Sequence, residues 1–413
     1  MDEKMLYTAL LGLAKPWAVE RVDVKPTEGE VHVWVGLPDK TRWVCPKCLL
    51  AAPIHDHQER SWRHLDTCQY KTFVHARVPR LNCPNCGVHQ LKVPWSEPGS
   101  HFTALFEALA IDWFKQASLK AVAKQLRLSW DEADGIQQRA VSRGLKRRQL
   151  EVPRYAGIDE TSYQKRHEYV TVVSDLEKGR VLYVADDRGQ EALDGFWGQL
   201  SEAKRAEIEA VAMDMWEPYI KSVLANLPGA KEKIVFDKFH VAQHLGKAVD
   251  KVRRQEYREL HAAGDDVLKG TRYLWLENPT GRSRVETLEF NQLREQVNRT
   301  SRAWALKETA MGLWDMSYVG AADRNFKAWY GWARRSCLEP MRKVAATIKR
   351  HWANIRTYFV HRITNAGSES MNSRIQAVKR RACGFRNRER FRNAIYFHCG
   401  GLDLYPAMVP AVQ

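Results

Sequence analysis

No apolar run in the 413 residues approaches the roughly 20 needed to cross a bilayer. That argues against a transmembrane segment and leaves a membrane surface as the weaker partner. The opening Met1-Asp2-Glu3-Lys4 has none of the pattern of a signal peptide, so a cytoplasmic protein is expected. Acidic residues are in deficit: 49 Asp and Glu face 65 Lys and Arg, and the net charge of +16 favours a polyanionic partner over a merely solvated surface. Cysteine is sparse, and four of the eight residues fall into two CxxC pairs, a pattern that speaks for metal rather than a disulfide framework in a reducing compartment. The length suggests two to four domains.

Residues 1–40 carry a helix-like start (Leu6 to Leu13) and alternating valines, Val22 and Val24, then Val31, Val33 and Val35, that read as strands. Their role is not legible. Within 41–97, Cys45-Pro46-Lys47-Cys48 and Cys83-Pro84-Asn85-Cys86-Gly87 form two tight knuckles whose thiolates can close one tetrahedral Zn²⁺ site. A redox dithiol is the rival. A full set of Cys45, Cys48, Cys83 and Cys86 leaves no open coordination position, so this zinc is expected to be structural. His55, His57, His64 and His89 lie nearby and are expected to face solvent or phosphates.

After a connector at Pro94 to Gly99, residues 98–150 read as three helices: Phe102 to Gln116, Ser118 to Leu126, and Trp130 to Arg143, the last begun by a Ser129/Glu132 capping box. This fits a helix-turn-helix with its third helix in a major groove, although a three-helix packing unit without DNA would look the same. Trp130, Gln137, Arg139, Arg143 and Arg147 are the candidate DNA contacts.

Residues 151–260 place carboxylates at strand ends. Asp159 lies in Gly157-Ile158-Asp159-Glu160-Thr161, and runs at Glu168 to Ser174 and Arg180 to Ala185 complete a three-strand meander. A helix is expected from Gln190 to about Glu209. Val211-Ala212-Met213 then runs into Asp214. A helix from Pro218 to Leu227 and the strand Ile234-Val235-Phe236 lead to Asp237, His240 and a long helix. Residues 261–349 read as a helical insertion rich in Trp, since the 155 positions from Asp214 to Glu369 are far too many for a loop. Trp275, Trp304, Trp314, Trp329 and Trp332 are mostly core by this reading, with one or two free to stack on an unpaired base. In 350–413, Glu369 opens a helix that runs into Lys379-Arg380-Arg381 and Arg386, basic residues placed to contact a DNA backbone or, more simply, solvent.

In order and spacing, the two CxxC pairs, the three-helix segment, Gly-Ile-Asp-Glu, Met213-Asp214-Met215-Trp216, Phe236-Asp237-Lys238-Phe239-His240-Val241 and Gly367-Ser368-Glu369-Ser370-Met371-Asn372 resemble the DDE transposases of bacterial insertion sequences of the ISL-three type. The resemblance covers about residues 40 to 400. It implies an α/β chain: a ribonuclease-H-like catalytic core with an all-helical insertion, preceded by a zinc ribbon and a helix-turn-helix. It implies Asp159, Asp214 and Glu369 as ligands of two Mg²⁺ ions (Mn²⁺ being possible) about 4 Å apart, with His240 bordering the site in a catalytic or structural role. Ser370 departs from the second Gly expected after the Glu. Glu160, Asp186 and Asp187 are rival ligands, the last two better explained as a turn.

The function so implied is binding of terminal inverted repeats in double-stranded DNA, followed by strand cleavage and transfer to a target. A homodimer or higher oligomer on DNA is expected, at the bacterial nucleoid. A DNA-binding regulator on an inactive version of the fold, or a structure-specific nuclease, are the alternatives. A serine recombinase has no candidate nucleophile with flanking arginines.

Overall fold

Strict alternation in Glu30–Gly36 (β2) sends Val31, Val33 and Val35 to one side, each at most 2% exposed, and His32 and Trp34 to the other. The same logic builds β1 (Ala18–Lys25), β3 (Ile54–Thr67) and β4 (Tyr70–Cys83), which form one sheet in the order β1-β2-β4-β3, with β5 (Gly87–Gln90) on β4. This computed structural model describes residues 2–38, 43–164 and 168–407. The expected boundary at residues 40 and 41 lies outside them.

The chain divides into two units. The first runs to Gln149 and takes in Arg381–Cys383 and the segment from Tyr396 on; the second comprises Leu150–Arg380 and Gly384–Ile395. In the first, α1 (Glu3–Leu10) accompanies the sheet, whose core stacks Trp95 edge-on against both Trp17 and Trp62. Three helices follow: α2 (Ala104–Gln116), α3 (Leu119–Gln125) and α4 (Trp130–Arg147). Thr103, Ser118 and Ser129 cap them, and Ser129 with Glu132 forms the expected reciprocal box. The last helix runs one turn beyond the expected Arg143.

In the second unit, β6 (Tyr155–Gln164), β7 (Glu168–Asp175) and β8 (Arg180–Ala185) form an antiparallel meander. Two parallel strands, β9 (Ala210–Met213) and β10 (Ile234–Phe236), extend the sheet from β6, giving the order β10-β9-β6-β7-β8. Both are buried apolar runs without alternation, as strands covered on both faces require. Between β8 and β9 the single expected helix is instead two, α5 (Gln190–Trp197) and α6 (Glu202–Ala206), because Gly198 stops the first and Ser201 caps the second. Next come α7 (Glu217–Asn226), α8 (Ala230–Lys233) after β9, and the 25-residue α9 (Lys238–Ala262) after β10.

From there to Arg350 the described elements are helical: α10 (Arg272–Leu276), α11 (Arg284–Gln296), α12 (Arg299–Met311), α13 (Val319–Arg335) and α14 (Glu339–Arg350), with two 3-10 turns. Trp275, Trp314 and Trp329 are buried at 0, 5 and 2% exposure, and Trp304 packs against the same core, so these four take the structural role; Trp332 is partly exposed. Short helices α15 (Trp352–Arg356) and α16 (Tyr358–His361) lead to α17 (Ala366–Arg381) and α18 (Arg388–Cys399). Among the described residues, no helix is long and apolar enough to cross a membrane.

Candidate functional site

Sheet register aligns the acids. β6 and β9 pair in parallel as far as Gly157 opposite Ala212, and β9 and β10 as far as Met213 opposite Phe236, so Asp159, Asp214 and Asp237 all follow the last paired residues at the same end of the sheet. Neighbouring strands lie roughly 5 Å apart, so three carboxylates share one edge of the sheet. Asp237 is buried and serves the fold: its Oδ2 caps α9 by accepting from Phe239 N at 3.1 Å, while Oδ1 accepts from Asn365 N at 3.2 Å. This second bond ties the start of α17 to the same edge.

Glu369 arrives on that helix through a polar stripe. Asn372 Nδ2 donates to Asp159 Oδ2 at 2.8 Å and to Glu160 O at 3.1 Å; Gln376 donates to Thr161 Oγ1 at 2.7 Å; Lys379 Nζ donates to Ser162 O at 2.8 Å. Glu369, Asn372, Gln376 and Lys379 follow helical spacing and so share the face against β6, while Met371, Ile375 and Val378 bury the other side. Two glycines let the helix in. A Cβ on Gly157 would sit 2.6 Å from Leu176 Cδ2 and nearer still to Ser368 Oγ, and one on Gly367 would meet the same leucine carbon at 2.9 Å. Ser370, the departure from the expected glycine, is exposed on the outer face.

The electrostatics are those of carboxylates partly withdrawn from water beside other acids. Burial raises Asp159 to about 6, with Glu160 and Asp214 adding to the rise and the Glu160 N–H and His240 opposing it. Glu369 is also raised, by burial and then by Asp237. His240 Nδ1 lies 3.5 Å from Asp214 Oδ1, and Asp214 Oδ1 also accepts from Met215 N at 2.6 Å. Oxygens of Asp159, Asp214 and Glu369 do not all come within 4.8 Å of one another; among the described residues that degree of convergence is reached by the four ribbon cysteines and by Glu28, Glu30 and His32. The donor chemistry nonetheless suits a hard divalent cation, since a bound cation offsets both the burial that chiefly raises Asp159 and the smaller repulsion from Glu160 and Asp214. Buried polar groups without a protein partner, the Asn365 amide and Ser368 hydroxyl, sit in the segment that begins α17.

The rivals have other partners. Glu160 lies 3.5 Å from Arg188, Asp186 pairs with Arg392 at 3.1 Å, and Asp187 accepts from Arg188 N at 2.7 Å within its turn. Arg380, Arg381 and Arg386 are exposed.

In the first unit, Cys45, Cys48, Cys83 and Cys86 converge as expected. The Cys48 and Cys83 sulfurs are 3.4 Å apart. Backbone N–H groups of Cys48 and Lys47 draw Cys45 down to about 6, whereas the hydrogen bond with Cys48 and burial push Cys86 up to about 12. Successive ionisation in this cluster is resisted unless a cation shares it. Each knuckle turns through a left-handed residue after its second cysteine, Leu49 (φ 61°) and Gly87 (φ 77°). His64 corrects the expectation of an outward histidine: it is 4% exposed, with Nδ1 2.9 Å from Thr103 Oγ1.

The third helix also differs from expectation. Gln137 and Arg143 are buried, and Arg143 bonds Glu97, Glu107 and the Leu404 carbonyl. Arg139 pairs with Glu107 at 2.7 Å, and Arg147 with Asp403 at 2.9 Å. These arginines hold the unit together, so of the five candidate contacts Trp130, at 41% exposure, and Arg147 are the exposed ones. Basic residues exposed on the preceding helix, Lys120 and Lys124, carried no distinguishing signal in the sequence.

Comparison with known families finds three matches. A model described as a transposase matches residues 156–395, one for the zinc-finger of transposase IS204/IS1001/IS1096/IS1165 matches 41–86, and one for the helix-turn-helix domain of transposase family ISL3 matches 91–141. Among curated proteins, the chain is 28% identical to the transposase for insertion sequence element IS1557 of Mycobacterium tuberculosis, covering 94% of this chain and 93% of that one. It is 25% identical to the transposase for insertion sequence element IS1001 of Bordetella parapertussis, covering 95% and 97%.

Proposed function

The chain belongs to transposase family ISL3, and from that premise we propose that it binds the terminal inverted repeats of its insertion sequence and cuts and joins DNA strands at Asp159, Asp214 and Glu369. The observation that carries this is the shared edge: Asp159 on β6 and Asp214 just past the end of the parallel neighbour β9, near enough for Asp214 to raise Asp159, with the Glu369 helix pinned to Asp159 through Asn372. An antiparallel meander extended by two parallel strands supports a ribonuclease-H-like core, with residues 261–349 as its helical insertion.

Two Mg²⁺ or Mn²⁺ ions held by the triad would stabilise the attacking and leaving oxygens of an in-line displacement. Asp159 presents one oxygen fixed by the Glu160 N–H and the other by Asn372. His240, beside Asp214, orients that carboxylate. Water and a 3′-hydroxyl serve as successive nucleophiles, so no protein side chain is covalently joined to DNA. Trp130, Lys120 and Lys124 face the terminal repeats, Arg380 and Arg386 the backbone of the cut strand, and the ribbon zinc is structural. Joining two ends calls for a homodimer or larger assembly on DNA at the nucleoid.

Asp159→Asn on a duplex carrying the element's ends tests the reading. The variant is expected to bind the ends while Mg²⁺-dependent cleavage disappears; cleavage equal to that of the unaltered protein overturns it.

A further inference from the structure

Two exposed aromatic rings follow closely on two of the strand-end carboxylates. Each of the parallel strands β9 and β10 is followed at once by an aspartate, Asp214 and Asp237, and two residues after each comes an aromatic side chain, Trp216 and Phe239. Trp216 is the N-cap residue of α7, and Phe239 lies in the first turn of α9, so each ring stands at the helix start that follows its aspartate. Both are open to solvent, Trp216 at 37% and Phe239 at 55%.

Trp216 is held rigid although it is exposed. Its Nε1 donates to Arg188 O at 3.1 Å, and the Arg188 guanidinium lies 4.9 Å from the indole and 4.7 Å from the Tyr169 ring. Arg188 is in turn 3.5 Å from Glu160. Phe239 packs edge-on against His240, with centroids 6.0 Å apart, in the first turn of α9. Neither ring belongs to the hydrophobic core of this unit. The buried tryptophans of the helical segment are unavailable for such a role.

Resting on the strand-cutting reading above, we infer that Trp216 and Phe239 form a stacking subsite for an unpaired nucleobase of the strand held at the carboxylates. Asp159, Glu160, Asp214, Asp237 and Glu369 together repel a phosphate backbone, so a strand brought among them needs an attraction that does not depend on charge. A flat, preorganised aromatic face supplies one, since every base has a π-face and stacking contributes roughly 1–3 kcal/mol per base. Arg188 behind the indole adds a cation to the stack.

The test compares binding of the full chain, without divalent cation so that nothing is cut, to a labelled duplex interrupted by an unpaired thymidine run and to the same duplex fully paired. The unaltered protein is expected to prefer the interrupted duplex by roughly tenfold. Trp216→Ala and Phe239→Ala should each remove most of that preference without changing affinity for the paired duplex, and Trp216→Phe should keep it. No preference in the unaltered protein, or equal losses on both duplexes, overturns the inference. Because this assay needs neither cleavage nor terminal sequence, its outcome is separable from that of Asp159→Asn: a stacking preference beside Asp159-independent cutting sinks the catalytic reading alone.

Discussion

At the scale of single residues, the site depends on what is missing from Gly157 as much as on what Asp159 provides. A methyl group there would press on Leu176 and Ser368 and drive α17 away from β6. Displacement of a reacting group by about 1 Å costs on the order of a hundredfold in rate. Gly157→Ala is therefore expected to cut strands about a hundredfold more slowly with little loss of end binding, as a cleavage time course beside a gel-shift titration will read out. His64 yields a pH prediction. Burial, and then Arg63, lower it from 6.5 to about 4, so the fold holds the neutral ring while an unfolded chain takes up a proton. The resulting stability is fully present above 6.5 and falls as pH drops toward 4, by roughly 3 kcal/mol. His398, also lowered to about 4 by burial, acts in the same direction. Urea unfolding of the first unit should show the acid-side loss, and His64→Gln should flatten part of it.

At the scale of elements, α4 shows where composition misleads. Arg139 and Arg143 read as groove contacts because a basic helix after a capping box looks like a DNA reader. Yet both turn toward Glu107, which is 1% exposed and also accepts from Ser100. Removing one partner of a buried pair strands the other charge, at a cost of about 3–5 kcal/mol. Arg143→Ala should thus lower the melting temperature of the first unit, whereas Lys124→Ala should weaken DNA binding and leave melting unchanged; thermal melts beside binding isotherms decide. A similar hidden cap lies in the helical segment, where Glu256 of α9 accepts from the N–H groups of Asn298, Arg299 and Thr300 at the start of α12. No local pattern marks that contact, because its partners are more than 40 positions apart. The β-strands were legible because branched and aromatic runs alternate or stay apolar between turn residues, and Glu369 because its motif opens a helix. The stripe of Asn372, Gln376 and Lys379 was present in the sequence at helical spacing, but without β6 beside it nothing distinguished it from a solvated face.

At the scale of the whole molecule, the order of segments was legible because each carries its own local chemistry, paired cysteines, capped helices and strand-end acids. Which side chains turn inward was not, since that depends on packing between distant segments. The two units rest on separate cores of unequal sufficiency. The second buries a continuous apolar cluster from Ala156 to Ile355, and the first has a tryptophan-centred cluster under its sheet. The ribbon end has little beyond Cys45, Ala52, Leu81 and Cys83, with Trp43 beside them. So small an apolar cluster cannot offset the entropy of ordering two knuckles, and metal coordination must do so. Chelation of zinc from the full-length protein is therefore expected to lower the thermal transition of the first unit and abolish end binding, while the transition of the second stays in place. Calorimetry with and without chelator reads both, and Cys45→Ser should reproduce the chelated trace. Two transitions that fall together would mean that the cores are not independent, and a trace unmoved by chelation would mean that the four sulfurs hold no metal the fold requires.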